Sequence, residues 1–246
     1  MGVPKRVGAR TGDTQRAIEW TNGRGGVVTY QWHWVAPTPD PDKGKGFYTK
    51  NTDFDLAKAI AEPNSPEYRG LIQDIDEVAS EIKKLSDAKV PIIFRPLHEA
   101  QGAWFWWGAK GAEPCVALYK MIYRRMTEHH KLHNIAWAWT VYPASQKKGD
   151  PVAWYPGDDM VDFVVSDYCE KKADYEDLVS LTQGRKMVAL AETMNAPNPD
   201  KALVETPWAY WVTWARRDWN NRSEGDIKAA MAHPKTLNIR DWSKIK

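Results

Sequence analysis

A histidine and a glutamate, His98 and Glu99, follow a short apolar stretch and precede three closely spaced tryptophans. Residues 92–108 read IIFRPLHEAQGAWFWWG. Buried parallel strands are continuous apolar runs, and catalytic groups collect where such strands end. A carboxyl group can act on a glycosidic oxygen, and the flat faces of indole rings suit the C–H faces of a sugar. The stretch therefore indicates a site that cleaves a glycosidic bond.

A second carboxyl group with the same placement is Glu192, near the end of the apolar stretch 187–193 (MVALAET). Glycoside hydrolysis needs two carboxyl groups across the bond that breaks, one as proton donor and one as nucleophile or base. An isolated glutamate could merely cap a strand or pair with an arginine. Two glutamates at the ends of parallel strands, in a chain with 14 tryptophans, favour catalysis.

Short apolar stretches and helical stretches alternate along the chain, which is typical of a parallel α/β sheet. Leu71, Ile75, Val78, Ile82 and Leu85 form a helical stripe. The predicted strands are 27–34, 90–99, 135–142, 160–168, 187–193 and 208–214. The predicted helices are 13–20, 65–88, 114–130 and 174–183.

The fold we expect is a (β/α)8 TIM barrel within a single catalytic domain, 1–246. No Gly-rich phosphate loop follows a strand, which counts against a doubly wound nucleotide-binding fold. A closed barrel needs eight strands and six are visible, so we expect strands 3–8, with the first two missing. A six-stranded doubly wound sheet stays open as the alternative. An open barrel would also leave unpaired edges, which favour aggregation.

The composition excludes several classes of protein and site. The net charge of +2 is too small to indicate a nucleic-acid-binding surface. No apolar run reaches the length of a membrane span, and residues 1–6 do not begin a secretory signal. Cys115 and Cys169 are expected to be unbridged. His129, His130 and His133 lack the carboxylate of a zinc motif and suit a helix end instead.

The segments RPLHE and GAWFWWG, in this order, resemble glycoside hydrolase family 26, whose best-known members are endo-β-1,4-mannanases. GGVVTYQWHW resembles the third strand of that family, SDYC the sixth and MVALAETM the seventh. The resemblance implies that Glu99 is the general acid/base and Glu192 the nucleophile.

The same resemblance implies sugar-binding roles for residues near these carboxylates. His98 would hold the surroundings of Glu99, unless it is only a packed residue. Tyr168 would hydrogen-bond the nucleophile. The other implied contacts to the sugar are His33, Trp104 and Trp214, with a core role for His33 left open. Separately, strand alternation puts Arg95 on the side of Glu99, where it could supply positive charge.

We therefore expect a retaining endo-acting β-1,4-mannanase that cleaves mannan, glucomannan or galactomannan. It would need no cofactor and no metal, bind neither nucleic acid nor membrane, and act as a monomer. Its family resemblance implies an extracellular or periplasmic location. A β-1,3-1,4-glucanase, a β-xylanase and a catalytically inactive carbohydrate-binding protein remain the alternatives.

Overall fold

The computed structural model of the chain describes residues 12–38, 46–194, 196–214 and 224–238, without the side chains of Glu224 and Asp226. The described residues divide into two compact units. Unit 1 contains those up to Trp139 together with Val152–Asp162. Unit 2 contains Thr140–Pro151 and those from Phe163 onward. Within the described residues, each unit carries three parallel strands in chain order.

The sheet of unit 1 is built from apolar stretches that are buried almost throughout. Its strands are β1 (Val28–Gln31), β2 (Ile92–Arg95) and β3 (Ile135–Thr140), the last of which ends at the unit boundary. All four residues of β2 are buried. The register of β1 and β2 places Gln31 opposite Arg95, so two polar side chains meet where both strands end.

The helices of unit 1 follow from their caps and apolar stripes. Ser65 accepts the Tyr68 N–H at 3.1 Å, and Pro66 occupies the first turn, where its missing N–H is not needed. The five apolar residues of the predicted stripe are all buried, which confirms that helix. The helices are α1 (Asp13–Arg24), α2 (Leu56–Ala61), α3 (Pro66–Asp87), α4 (Ala112–Arg124) and, across the unit boundary, α5 (Pro151–Trp154).

An ion-pair cluster, the Asp76 clamp, joins α3 to the π-helical turn Arg125–His129 that follows α4. Arg125 donates to both carboxylate oxygens of Asp76, at 2.7 and 2.8 Å, and His130 Nε2 lies 2.7 Å from Oδ1. The arginine hydrogen bond, followed by that of His130, lowers the pKa of Asp76 below its ordinary value. His130, at the histidine-rich end of the predicted helix 114–130, thus contributes to the Asp76 clamp.

Unit 2 has the strands β4 (Phe163–Asp167), β5 (Met187–Thr193) and β6 (Trp211–Thr213). Its helices are α6 (Lys172–Leu181), α7 (Pro199–Glu205) and α8 (Glu224–Ala232). The register of β4 and β5 shifts after Ser166, and beyond the shift Asp167 lies opposite Glu192. Such an irregularity re-aims side chains at a strand end.

The predicted strands all occur, but several end earlier than the apolar pattern indicates. Only β5 has the predicted bounds. The prediction that a strand runs through residue 99 is wrong, because β2 stops at Arg95 before Pro96, which has no N–H to donate. Leu97 and Glu99 then take positive φ angles of 55° and 54°. The alternation expected to put Arg95 on the side of Glu99 therefore does not extend beyond Arg95, and a positive charge of Arg95 near Glu99 stays a prediction.

The segment that follows β1 is described up to Thr38 and again from Gly46. Its two described ends approach each other, since the Ala36 N–H donates to the Gly46 carbonyl at 3.2 Å. Neither Cys115 nor Cys169 forms a disulfide, and burial raises the pKa of the Cys115 thiol. None of the helices in the described ranges is long and apolar enough to cross a membrane.

Candidate active site

Glu99 is held by a tight turn between β2 and the tryptophan segment. Its positive φ is followed by a 3-10 turn, Ala100–Gly102, in which the Gly102 N–H donates to the Glu99 carbonyl at 3.0 Å. The indole N–H of Trp104 donates to Oε2 of Glu99 at 2.9 Å, and both side chains are half-buried. Left-handed backbone is costly for a residue with a Cβ and is found at functional sites. The turn places a carboxyl group beside an indole at a partly open position.

The rest of the tryptophan segment is a buried support for this turn. Trp106 donates its indole N–H to the Trp34 carbonyl at 2.6 Å, and Trp107 donates to the His98 carbonyl at 2.9 Å. Residue Phe47 also contacts the tryptophan segment, since the backbone N–H of Trp106 donates to the Phe47 carbonyl at 3.1 Å. Trp106 and Trp107 are thus buried with their polar N–H groups satisfied.

Gly108 closes this support because no side chain fits there. A Cβ at this position would lie 1.8 Å from the Ala100 carbonyl oxygen, a backbone atom that cannot move aside without displacing the turn. The backbone at Gly108 therefore packs directly against Ala100, the first residue of the turn that follows Glu99. This contact fixes the tryptophan segment to the residue that it supports.

A polar network of four residues lies at the end of β1 and β2. Arg95 donates to Oε1 of Gln31, while the Gln31 Nε2 lies 3.0 Å from Nε2 of His98 and 3.4 Å from Nε2 of His33. The two imidazoles meet edge to face with their centroids 4.6 Å apart. His33 is exposed, whereas His98 is only 1% exposed and lies against Phe105.

The environment of His98 favours its neutral form. Burial, the positive charge of Arg95 and the neighbouring His33 lower the pKa of His98 well below its ordinary value. Its depth favours the packed alternative over direct contact with a sugar. Of the two histidines, His33 has the exposed ring that a ligand could reach, so the sugar contact predicted for His33 stays a prediction.

Glu192 is a carboxylate of unit 2 that is held by two aromatic donors. It lies in β5 with 6% of its surface exposed. Its Oε2 accepts two hydrogen bonds, from the Tyr168 hydroxyl at 2.8 Å and from the indole N–H of Trp214 at 2.6 Å. Two donors on one oxygen suit an ionised carboxylate, which only accepts. This is the arrangement that a carboxylate nucleophile requires.

Backbone hydrogen bonds to β5 position the two residues that donate to Glu192. The Tyr168 N–H donates to the Glu192 carbonyl at 2.8 Å, and the Trp214 N–H donates to the Thr193 carbonyl at 2.9 Å. Tyr168 has a φ of 60°, and both donor side chains are more than a third exposed. A partly open aromatic pair therefore surrounds a nearly buried carboxylate.

Other carboxyl groups near β4 have structural partners. Asp162 accepts the backbone N–H of Trp137 at 2.8 Å, and Glu170 accepts the hydroxyl of Thr193. Asp167 is buried, with 2% of its surface exposed. Asp162 and Glu170 thus support neighbouring backbone and side chains, and Glu192, with its two donors, is the stronger candidate in unit 2.

The structure thus assembles the predicted residues into two groups in unit 1 and one in unit 2. Glu99 and Trp104 are in contact in unit 1, and Tyr168, Trp214 and Glu192 are in contact in unit 2. His33, His98 and Arg95 are joined through Gln31, which the sequence analysis missed. Its signal was the alternation of polar residues in YQWHW, which puts Gln31 and His33 on one side. The pairing of Glu99 with Glu192 across one bond stays a prediction.

Known proteins resemble this chain over most of its length. It is 38% identical over 231 residues to a mannan endo-1,4-beta-mannosidase of Thermothelomyces thermophilus, which covers 89% of the chain and 46% of that protein. It is 35% identical to mannan endo-1,4-beta-mannosidase B of Piromyces sp, over 92% of the chain and 39% of that protein. The chain therefore spans less than half the length of these two relatives.

Solved structures show the same fold. The GH26-CBM35 beta-(1,4)-mannanase of Podospora anserina superposes with a TM-score of 0.82 at 35% identity, over 95% of this chain and 54% of that one. A beta-mannanase from a symbiotic protist of the termite Reticulitermes speratus, complexed with gluco-manno-oligosaccharide, gives 0.82 at 27% identity, over 94% and 74%. The expected parallel α/β fold of the barrel family is confirmed, while the numbering of its strands as 3–8 stays a prediction.

A family description also matches nearly the whole chain. The sequence profile of Glycosyl hydrolase family 26 covers residues 5–241, which includes both glutamates and every residue of their two hydrogen-bonded sets. The resemblance carried by RPLHE and GAWFWWG is thereby confirmed, and the chain belongs to glycosyl hydrolase family 26.

Proposed function

We propose that the protein is an endo-acting β-1,4-mannanase that hydrolyses mannan, glucomannan or galactomannan with retention of anomeric configuration. The observation that carries this proposal is the doubly hydrogen-bonded Oε2 of Glu192, in a chain of this family whose named relatives are mannan endo-1,4-beta-mannosidases. The substrate of those relatives is transferred here as a proposal.

In the first step Glu192 attacks the anomeric carbon, and Glu99 protonates the departing glycosidic oxygen. The bond between the two sugars breaks as the bond from the anomeric carbon to Glu192 forms. In the second step Glu99 takes a proton from water, which displaces Glu192 and restores both carboxyl groups.

The surroundings of the two glutamates suit these different tasks. Glu192 is nearly buried and accepts two hydrogen bonds on one oxygen, which stabilise its negative charge. Glu99 is half-buried and accepts one from the Trp104 indole, a neutral donor that orients the carboxyl group. The half-exposed faces of Trp104 and Trp214 are the surfaces on which sugar rings would stack.

The protein would act outside the cytoplasm, because a polymeric mannan cannot enter a cell before it is cleaved. We further propose that residues 1–246 form one catalytic domain, since a single family profile covers residues 5–241. A monomer suffices for this scheme, because both glutamates and their donors belong to one chain.

Rescue by a small anion tests the two assigned roles separately. In Glu192→Ala, azide should restore turnover of an activated aryl mannoside and give a glycosyl azide of inverted configuration. In Glu99→Ala, azide should give a product of retained configuration, because the covalent intermediate still forms on Glu192. Identical product configurations from both variants, or full activity without azide, would refute the assignment.

Parallel assays of reducing-sugar release decide the substrate. The proposal requires activity on mannan or glucomannan that exceeds activity on lichenan and xylan. Activity on lichenan alone would make the protein a mixed-linkage glucanase, and activity on xylan alone would make it a xylanase. Binding of glucomannan without turnover would identify a carbohydrate-binding protein.

A further inference from the structure

Gln31 links a buried arginine to both histidines of the candidate site. It is the last residue of β1 and lies opposite Arg95 of β2 in the sheet register. Its amide oxygen faces the Arg95 guanidinium, and its amide nitrogen faces Nε2 of His98 at 3.0 Å and Nε2 of His33 at 3.4 Å. The side chain of Gln31 therefore presents an acceptor to Arg95 and an NH₂ group to His33 and His98.

The direction of this amide is dictated by the arginine. A guanidinium has only N–H donors, so the atom of Gln31 that faces it must be the carbonyl oxygen. The NH₂ group is then forced towards the two imidazoles, and its two hydrogens suffice for both. Each Nε2 atom must accept, because a donor facing a donor cannot form a hydrogen bond.

A ring nitrogen that accepts carries no proton. For His98 this leaves the neutral tautomer with its proton on Nδ1, a buried atom with no hydrogen-bond partner among the described residues, since an imidazolium would turn an Nε2–H towards the amide. The charged or titratable groups that act on His98 are Arg95 and His33, and both, together with burial, disfavour its charged form. Its aromatic neighbours Phe105 and Trp107 are uncharged.

We propose that Gln31 is a positioning residue that keeps His98 neutral, with Nε2 as acceptor, and orients the exposed His33 through the same amide. The role for His33 in binding rests on the proposed function, whereas the state of His98 does not. His98 directly precedes Glu99, and a positive charge beside a carboxyl group favours its ionised form. A neutral His98 thereby leaves Glu99 able to carry the proton that it must donate.

The unmodified protein provides the first test, without any substrate. Two-bond proton–nitrogen NMR spectra distinguish the two neutral tautomers of histidine from the imidazolium, and the His98→Gln variant assigns the signal of His98 among the six histidines. We expect His98 to show the Nδ1–H tautomer without titrating between roughly pH 5 and 8. An Nε2–H tautomer, or an imidazolium within that range, would overturn the proposal.

The variant Gln31→Glu reverses the polarity that faces the histidines while it keeps an acceptor for Arg95. A carboxylate at this position should raise the pKa of His98, because an adjacent opposite charge favours the imidazolium. Its kcat/KM on a mannan oligosaccharide, relative to the unmodified protein, should then fall progressively as the pH decreases. A loss that is uniform across the pH range, with an unchanged His98 spectrum, would indicate a merely structural role and refute the proposal.

Gln183→Glu is the matched control. Gln183 also accepts a hydrogen bond from an arginine, Arg185 at 2.5 Å, but it is an exposed residue after α6. This variant should leave the histidine spectra and the pH profile unchanged. If the unmodified protein gives the expected spectrum but hydrolyses no mannan, the proposed function fails while the role of Gln31 in the His98 tautomer stands.

Discussion

Replacement of Tyr168 by phenylalanine should slow the second half of the reaction more than the first. The hydroxyl of Tyr168 is one of two donors to Oε2 of Glu192, at 2.8 Å, and the acceptor is only 6% exposed. When the glycosyl-enzyme breaks down, negative charge returns to Glu192, and this hydroxyl stabilises it. The variant loses that stabilisation while the Trp214 N–H remains.

The magnitude follows from the type of hydrogen bond. A hydrogen bond to a charged group contributes roughly 1.5–3 kcal/mol, and each 1.4 kcal/mol corresponds to about a factor of ten in rate. Breakdown of the intermediate should therefore slow by roughly 10–150-fold. Phenylalanine keeps the ring and faces the same backbone cost at the positive φ of this position, so the change is confined to the hydroxyl.

The assay is a rapid-mixing measurement with a dinitrophenyl β-mannobioside, whose leaving group departs without proton donation. In Tyr168→Phe we expect a burst of one equivalent of dinitrophenolate, followed by a slow steady state in which kcat and KM both decrease. Tyr155→Phe is the control, because the Tyr155 hydroxyl also donates to a carboxylate, Asp158, at 2.8 Å. An unchanged kcat without a burst, or an equal loss in Tyr155→Phe, would refute the reasoning.

Three further predictions concern the acid/base, its support and the stability of unit 1. Trp104→Phe removes the donor to Glu99, so kcat/KM should fall on mannan oligosaccharides but little on the dinitrophenyl substrate; equal losses on both would contradict the role assigned to Glu99. Gly108→Ala forces a Cβ to 1.8 Å from the Ala100 carbonyl oxygen and should destabilise the protein by about 1–3 kcal/mol in chemical denaturation, and an unchanged midpoint would contradict the tight contact. Because the pKa of Asp76 is lowered in the folded protein, the Asp76 clamp stabilises the fold above the unfolded pKa near 3.8, and this stabilisation is lost as the pH falls through the folded pKa. Asp76→Asn should therefore lower the free energy of unfolding by roughly 1–2 kcal/mol at neutral pH and by progressively less below about pH 4. A difference in stability that does not depend on pH would exclude the ion pair.

The sequence predicted the elements and the two glutamates because these depend on local pattern. Apolar runs of strand length, separated by helical stripes, are visible without tertiary information, and a carboxyl group at the end of such a run stands out. Glu192 illustrates this, since β5 has the predicted bounds and the glutamate lies within it. The tryptophan content likewise indicates sugar binding from the sequence alone.

The details that give the site its chemistry were not predictable in the same way. Leu97 and Glu99 adopt left-handed backbone, which ordinary residues avoid unless the surrounding structure imposes it. The strand therefore ends earlier than the apolar pattern predicts, and the alternation that would place Arg95 beside Glu99 does not extend as far as Glu99. Gln31 was missed because an amide has no chemistry of its own, and its role emerges only when the register places it opposite Arg95.

The most direct test of the account is to trap the covalent intermediate and locate it. A fluorinated mannosyl fluoride, which slows breakdown of a glycosyl-enzyme, is incubated with the protein, followed by tryptic digestion and mass spectrometry. The account predicts one sugar per chain, attached to Glu192 within the peptide that follows Lys186. A label on a peptide without Glu192, or steady hydrolysis of mannan with no covalent label, would contradict it.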